Sequence, residues 1–444
     1  MVTTSNLSRP DVIQAAHKTV QLAGPLVSSQ FVLLLVNAIP LFLMANFTQK
    51  EVAAVALAQA IYMPFVVFGT GVMQAVGIVV AKQLGSKSEI SHDKTIIPAV
   101  VCIVIIAPAA ITLIHLAGYL LPVLGQSDGV SKYTMVYLSI VSLSLPANYL
   151  FWTFRSFASA RSMTSILLPL GIVAVALEVS VGLLLTRDCG PCLNIGLQGG
   201  ATALALAQWT LAIGLSGFVL LNRRKIGVSS LGIDKAAVSK ILAIGVPIGL
   251  AVVLESGFMA ILGLIAGTFG EEALAVHGIA LQIISVAFAI PLGLGQATTI
   301  LISRAMGSND NHEARAIGIS SIVVGLGSGA LVAAAVMLFA DRLFLYYLGE
   351  QFLYSPLRFI IFVVAAVHLL DTLQGTGMSL LRGLALTRTA LACAVTGYWL
   401  VGVACALLLG RFVGFGLYGV WIGFGLGLAV VAALTIHRFS INTR

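Results

Sequence analysis

The chain has 444 residues, of which 59% are hydrophobic and only 9% charged. A soluble domain carries about a quarter charged residues, so this composition excludes that class and points to a polytopic membrane protein. The net charge of +8 is not a nucleic-acid footprint, because a DNA-binding patch needs basic residues interleaved with polar surface and none is present.

The segment Met1 to Lys18 is polar and lacks the apolar core of a cleavable signal peptide, so the first span is expected to remain as a mature helix. Polar breaks then cut the chain into twelve spans of helical length, beginning near Ala23, Val52, Ile96, Tyr133, Thr164, Ile195, Ile241, Ala273, Ile317, Ile360, Ala390 and Gly416. Pro40, Pro64, Pro108, Pro146, Pro169 and Pro291 fall inside spans, where each removes a backbone hydrogen bond and allows a kink. In the last span Gly419, Gly423 and Gly427 recur every four residues and favour close helix packing, expected within a monomer.

Orientation follows from the basic residues, because cytoplasmic segments retain Lys and Arg. With both termini inside, eighteen of the twenty-four basic residues lie on the cytoplasmic side, Arg155, Arg161, Arg382 and Arg388 among them. Such a chain is expected in a cell membrane, the bacterial inner membrane being the natural setting.

The chain also repeats itself. An offset of 222 carries Pro25 onto Pro247, and Gly71, Gln74, Ala75, Gly85 and Ser86 onto Gly293, Gln296, Ala297, Gly307 and Ser308. An offset of 227 relates Arg155 and Arg161 to Arg382 and Arg388, and Gly196-Leu197-Gln198-Gly199 matches Gly416-Leu417-Tyr418-Gly419. Six spans per repeat is an even number, so both halves enter from the same side as parallel repeats, with substrate expected at their interface. The fold expected is therefore all-α, with an N-terminal six-helix lobe over residues 1–222, a basic cytoplasmic linker over 223–240 and a C-terminal six-helix lobe over 241–444.

Of sixteen acidic residues only Glu178, Glu255 and Asp371 fall inside long apolar spans. A carboxylate there is costly unless it has a partner or a task, and it can take up a proton or small cation and release it when its surroundings change. His368 lies three residues before Asp371, on roughly the same helical face, and could tune it; His277 is a weaker candidate for the same role. Cys189-Gly190-Pro191-Cys192 spells a thioredoxin dithiol but sits in a short outward loop without the required strand and helix, which leaves a local disulfide or two idle thiols. The spacing of His, Cys and acids suggests no resident metal, and neither a Walker A loop nor a dinucleotide loop is present. No cofactor is expected, and the driving energy is expected from an ion gradient.

Gly245-Val246-Pro247 is followed by Glu255, the run Ala275-Val276-His277-Gly278-Ile279-Ala280 by Pro291-Leu292-Gly293, and Asp371 by Leu381-Arg382-Gly383. With the twelve spans in two halves, these motifs resemble the multidrug and toxic compound extrusion (MATE) transporters, in their NorM-like branch. Tyr398-Trp399 and Gly419-Val420-Trp421-Ile422-Gly423 continue the resemblance, so it covers nearly the whole chain. It implies V-shaped lobes that open alternately to either side and export organic cations and drugs in exchange for sodium or protons. It also implies that Glu255 and Asp371 bind the coupling ion, transiently holding sodium where sodium is the ion used. The first lobe departs from the pattern: no acid occurs between Asp11 and Glu51, Asn37 being the nearest polar substitute, while Glu178 stands where relatives often have Asn. Either Glu178, with Asn37, forms an ion or substrate site in that lobe, or the lobe no longer couples.

Two rival classes remain open. A flippase or exporter of a lipid-linked envelope precursor or a dedicated metabolite would share the architecture but should show a basic cavity for phosphate. A membrane-embedded enzyme would need a convergent constellation of acids and His in the loops, where only scattered Asp and Glu occur.

Overall fold

A chain in hydrocarbon has no water to satisfy its backbone, so each spanning segment must close its own hydrogen bonds. The computed structural model describes residues 8–43, 47–86, 95–187, 195–222, 234–349 and 356–443, and among these the regular elements are all helical. Among the described residues twelve helices are long and apolar enough to cross a membrane. They are α1 (Arg9–Leu43), α2 (Gln49–Gly85), α3 (Ile96–Tyr119), α4 (Asp128–Ala160), α5 (Leu167–Thr186) and α6 (Leu197–Leu221), then α7 (Lys235–Gly267), α8 (Glu271–Gly307), α9 (Asn311–Leu348), α10 (Ile360–Gly383), α11 (Thr387–Phe412) and α12 (Gly416–Asn442). The expected all-α, twelve-helix class is the observed one.

Several helices start outside the apolar window. Arg9 opens α1 fourteen residues before the expected Ala23, because Ser8 and Asp11 form a reciprocal cap: the Ser8 hydroxyl and backbone N–H donate to Asp11 Oδ2 at 2.6 and 3.1 Å, and Asp11 N–H returns to Ser8 Oγ at 3.4 Å. Thr48 and Glu51 repeat that arrangement at the head of α2. Asp310 caps α9 by accepting the Glu313 N–H at 2.8 Å, so this helix begins ahead of the expected Ile317.

Two interruptions come just ahead of a proline. Pro146 lacks an N–H and crowds the carbonyl four residues earlier, and α4 tightens into a 3₁₀ turn at Ser142–Ser144 just before it. Pro291 has the same effect on α8, which breaks at Phe288. In α11 the helix widens to π geometry over Val395–Val403 and again over Leu408–Phe412.

The chain divides into two compact units. The carboxyl unit comprises Met1–Gln30, Leu84–Lys87 and Leu250–Arg444; the amino unit comprises Phe31–Gln83 and Ser88–Gly249. Residues 223–233 of the expected linker lie outside the described residues. Within the amino unit, Gly71 and Gly245 let α2 and α7 approach at backbone distance. Within the carboxyl unit, Gly293 of α8 does the same against Val27 of α1, and Lys18 pairs with Glu313 at 2.7 Å.

Candidate functional site

The carboxyl unit has an aromatic interior in which Phe258 of α7 stacks on Tyr398 of α11 at 5.4 Å and meets Phe424 of α12 edge-on at 5.5 Å. Against this wall lie the two predicted acids. Asp371 of α10 is 0% exposed, and neither of its carboxylate oxygens has a hydrogen-bond partner among the described residues. Glu255 of α7, only partly buried, is within electrostatic range of Asp371, and Tyr398 is within range of both. The structure thus brings Glu255 and Asp371 together from different helices.

Polar neighbours surround the pair. Gln374, one turn from Asp371 on the same face of α10, donates its amide N–H to the Tyr398 hydroxyl, while its own carbonyl oxygen is buried without a partner among the described residues. Trp399 donates its indole N–H to the Leu254 carbonyl at 3.2 Å, beside Glu255. Arg382, expected on the cytoplasmic side, lies in the last turn of α10 and interacts electrostatically with Glu255 and Tyr398. Arg155, its counterpart in the repeat, is also inside a helix, with its guanidinium 4.6 Å above the Trp152 ring.

The two candidate histidines separate. His368 is buried on α10 one turn before Asp371, and neither ring nitrogen has a partner among the described residues. His277 is buried against Trp421 instead, ring centres 5.6 Å apart, its ring nitrogens likewise without partners among the described residues.

Glu178 belongs to the amino unit, on α5, where it is 0% exposed with neither carboxylate oxygen bonded among the described residues. It interacts electrostatically with Tyr137 of α4, whose hydroxyl receives the Gln59 amide at 3.1 Å; Tyr62 and Ser144 share a bond at 2.7 Å nearby in that network. Each unit therefore holds a buried carboxylate, a tyrosine and a glutamine bonded to that tyrosine. The Asn37 side chain, and Cys189 and Cys192 entirely, lie outside the described residues. Among the described residues no group of three or more His, Cys, Asp or Glu could hold a metal. What the carboxyl unit offers is a set of oxygens, the donor type that hard cations take.

The sequence reading did not single out Gln59, Tyr137, Gln374, Arg382, Tyr398 or Trp399 as site residues. For Gln374 a signal existed: a polar side chain three residues from an intramembrane acid shares its helical face. For the others the partner sits on a different span, which spacing does not reveal.

Comparison with known proteins bears on both repeats. The MatE family model matches residues 25–184 and 247–408, one segment in each half of the chain. A probable multidrug resistance protein NorM of Rhizobium meliloti is 29% identical over 430 residues, covering 94% of this chain and 91% of that protein. A protein of the same description from Deinococcus radiodurans is 28% identical over 431 residues, covering 96% of this chain and 95% of its own. A solved structure described as the outward-facing conformation of a multidrug resistance MATE family transporter of the MOP superfamily superposes with a TM-score of 0.87 at 18% identity, covering 97% of this chain and 96% of that one. That likeness shows a common fold.

Proposed function

This chain belongs to the MatE family, and from that premise we propose that it is a cation-coupled antiporter that exports organic cations and drugs across the bacterial inner membrane by alternating access. It works as a monomer with both termini in the cytoplasm, takes sodium or protons as the coupling ion, and carries out no covalent chemistry. The observation that carries this reading is the buried Asp371 carboxylate, without a hydrogen-bond partner among the described residues and within electrostatic range of Glu255.

An ionised carboxylate at the centre of a bilayer costs about 3 kcal/mol on insertion scales. A second acid alongside adds repulsion. A sodium ion or proton relieves both, so the pair takes up the ion in one state and yields it in another. Exchange then requires that ion and drug favour different conformations, since a ligand with equal affinity for both states shifts nothing. Glu178, with Tyr137 and Gln59, supplies a second negative site in the amino unit, and His368 tunes Asp371 from one turn away.

The test is drug transport by purified protein in liposomes with sodium and proton gradients imposed separately. Extrusion of ethidium driven by either gradient supports the reading. No movement under either gradient, with the protein folded and inserted, overturns it.

A further inference from the structure

Within the π segment of α11 two consecutive side chains, Tyr398 and Trp399, reach polar groups on two different helices. π geometry inside α-helices is rare and frequently marks functional sites. Tyr398 receives the Gln374 amide on α10, one turn from Asp371. Trp399 donates to the carbonyl of Leu254 on α7, the residue before Glu255, at 3.2 Å. The indole N–H is only a donor and the carbonyl has two lone pairs, so this bond can be added without breaking the α7 ladder.

Packing holds the same joints. A Cβ placed on Gly257 would lie 3.3 Å from Trp399 Cζ2, so the indole rests along α7 where glycine leaves room for it. Tyr398 stacks on Phe258, nearly parallel at 14°. One short stretch of α11 therefore ties the helix carrying Glu255 to the helix carrying Asp371, with a hydrogen bond close to each acid.

We propose that Trp399 and Tyr398 are positioning residues that set the spacing of Glu255 and Asp371, and through it the affinity for the coupling cation. The inference rests on the cation-coupled reading above. A hard cation needs its oxygens at contact distance together, so a small outward shift of either helix removes a ligand that the other carboxylate cannot replace. The drug is too large to share that constraint, so its affinity should not follow the spacing.

The experiment measures ethidium efflux from liposomes against coupling-cation concentration and, separately, against drug concentration. Trp399→Phe keeps an aromatic ring without the donor, and Tyr398→Phe removes only the hydroxyl. Each should raise the half-saturating cation concentration about fivefold, the scale of one net hydrogen bond, with the half-saturating drug concentration and the rate at saturating cation within about twofold of wild type. Gly257→Ala, which crowds the indole without removing its donor, should move cation affinity in the same direction and decides the matter where Trp399→Phe does not fold. Unchanged cation affinity in the folded variants overturns the inference, as does an equal shift for cation and drug, which marks general destabilisation. A wild-type protein that transports without dependence on either cation overturns the antiport reading and this inference together. A wild type that is cation-dependent and loses that dependence in Glu255→Gln, while the aromatic variants behave as wild type, overturns this inference alone.

Discussion

Gly71 and Gly249 meet backbone to backbone in the amino unit, where a Cβ added to Gly71 would come within 2.6 Å of the Gly249 Cα. The same crossing occurs in the carboxyl unit between Gly293 and Val27, where the added Cβ would lie 2.7 Å from the Val27 nitrogen. An offset of 222 turns one pair into the other, Gly71 into Gly293 and Val27 into Gly249. Each unit thus packs the second helix of one repeat on the first helix of the other, and the duplication has kept the close approach in both copies. Small residues at such crossings let backbones come into van der Waals contact, which drives helix association where the surrounding lipid is as apolar as the helices.

Gly71→Ala and Gly293→Ala should therefore each destabilise the protein by about 1–3 kcal/mol, the cost of overpacking a tight contact. Gly217→Ala provides the contrast, since nothing lies within 4 Å of its added Cβ. There the better helix propensity of alanine should leave stability equal or raise it by up to about 1 kcal/mol. Thermal unfolding of the purified variants in detergent reads all three.

At the acid pair, Glu255→Gln and Asp371→Asn delete charge at nearly constant shape. Each should remove most drug efflux, and Asp371→Asn should leave expression and melting temperature near wild type, because neither Asp371 oxygen has a bond to lose among the described residues. Wild-type efflux by either variant at equal expression would count against the assignment of the coupling site.

Glu178→Gln separates a working acid from a structural one. A coupling role predicts a changed ion dependence of efflux with the protein still stable, since the carboxylate has no bond among the described residues to break. If ion dependence stays as in wild type and only the melting temperature falls, Glu178 is a packing residue and the amino unit does not couple.

Orientation can be read by cysteine labelling after the native thiols are replaced. Asn311 at the start of α9 and Ser127 just before α4 are both exposed. With the termini inside, Ser127→Cys should react with an impermeant thiol reagent on intact cells and Asn311→Cys only after permeabilisation. The reversed pattern would overturn the orientation drawn from the distribution of Lys and Arg.

Much of the architecture was legible residue by residue. The spans near Ile96, Ile360 and Gly416 begin where expected, because there the polar break and the helix end coincide. The start of α1 was misplaced because hydropathy marks where a helix becomes buried and not where it begins; Ser8 and Asp11 carried the capping signal in plain sequence. The acids stood out by rarity. Their polar surroundings did not, since a Gln or Tyr in an apolar span is common and its meaning lies in what it faces.

Membrane embedding, the number of spans and the duplication were determined by the sequence alone, because each is a sum over neighbouring residues or a comparison of the chain with itself. Which polar side chains share a location was decided only by the tertiary structure. Gln59 and Tyr137 are 78 residues apart in the chain, and Leu254 and Trp399 are 145 apart. Whether such residues meet depends on the depth and rotation of two helices, which are set by side-chain packing between spans. Local periodicity carries no record of that packing, so the acids, and Gln374 on the helical face of one of them, could be found in the sequence, while the tyrosines, Trp399 and Gln59 could not.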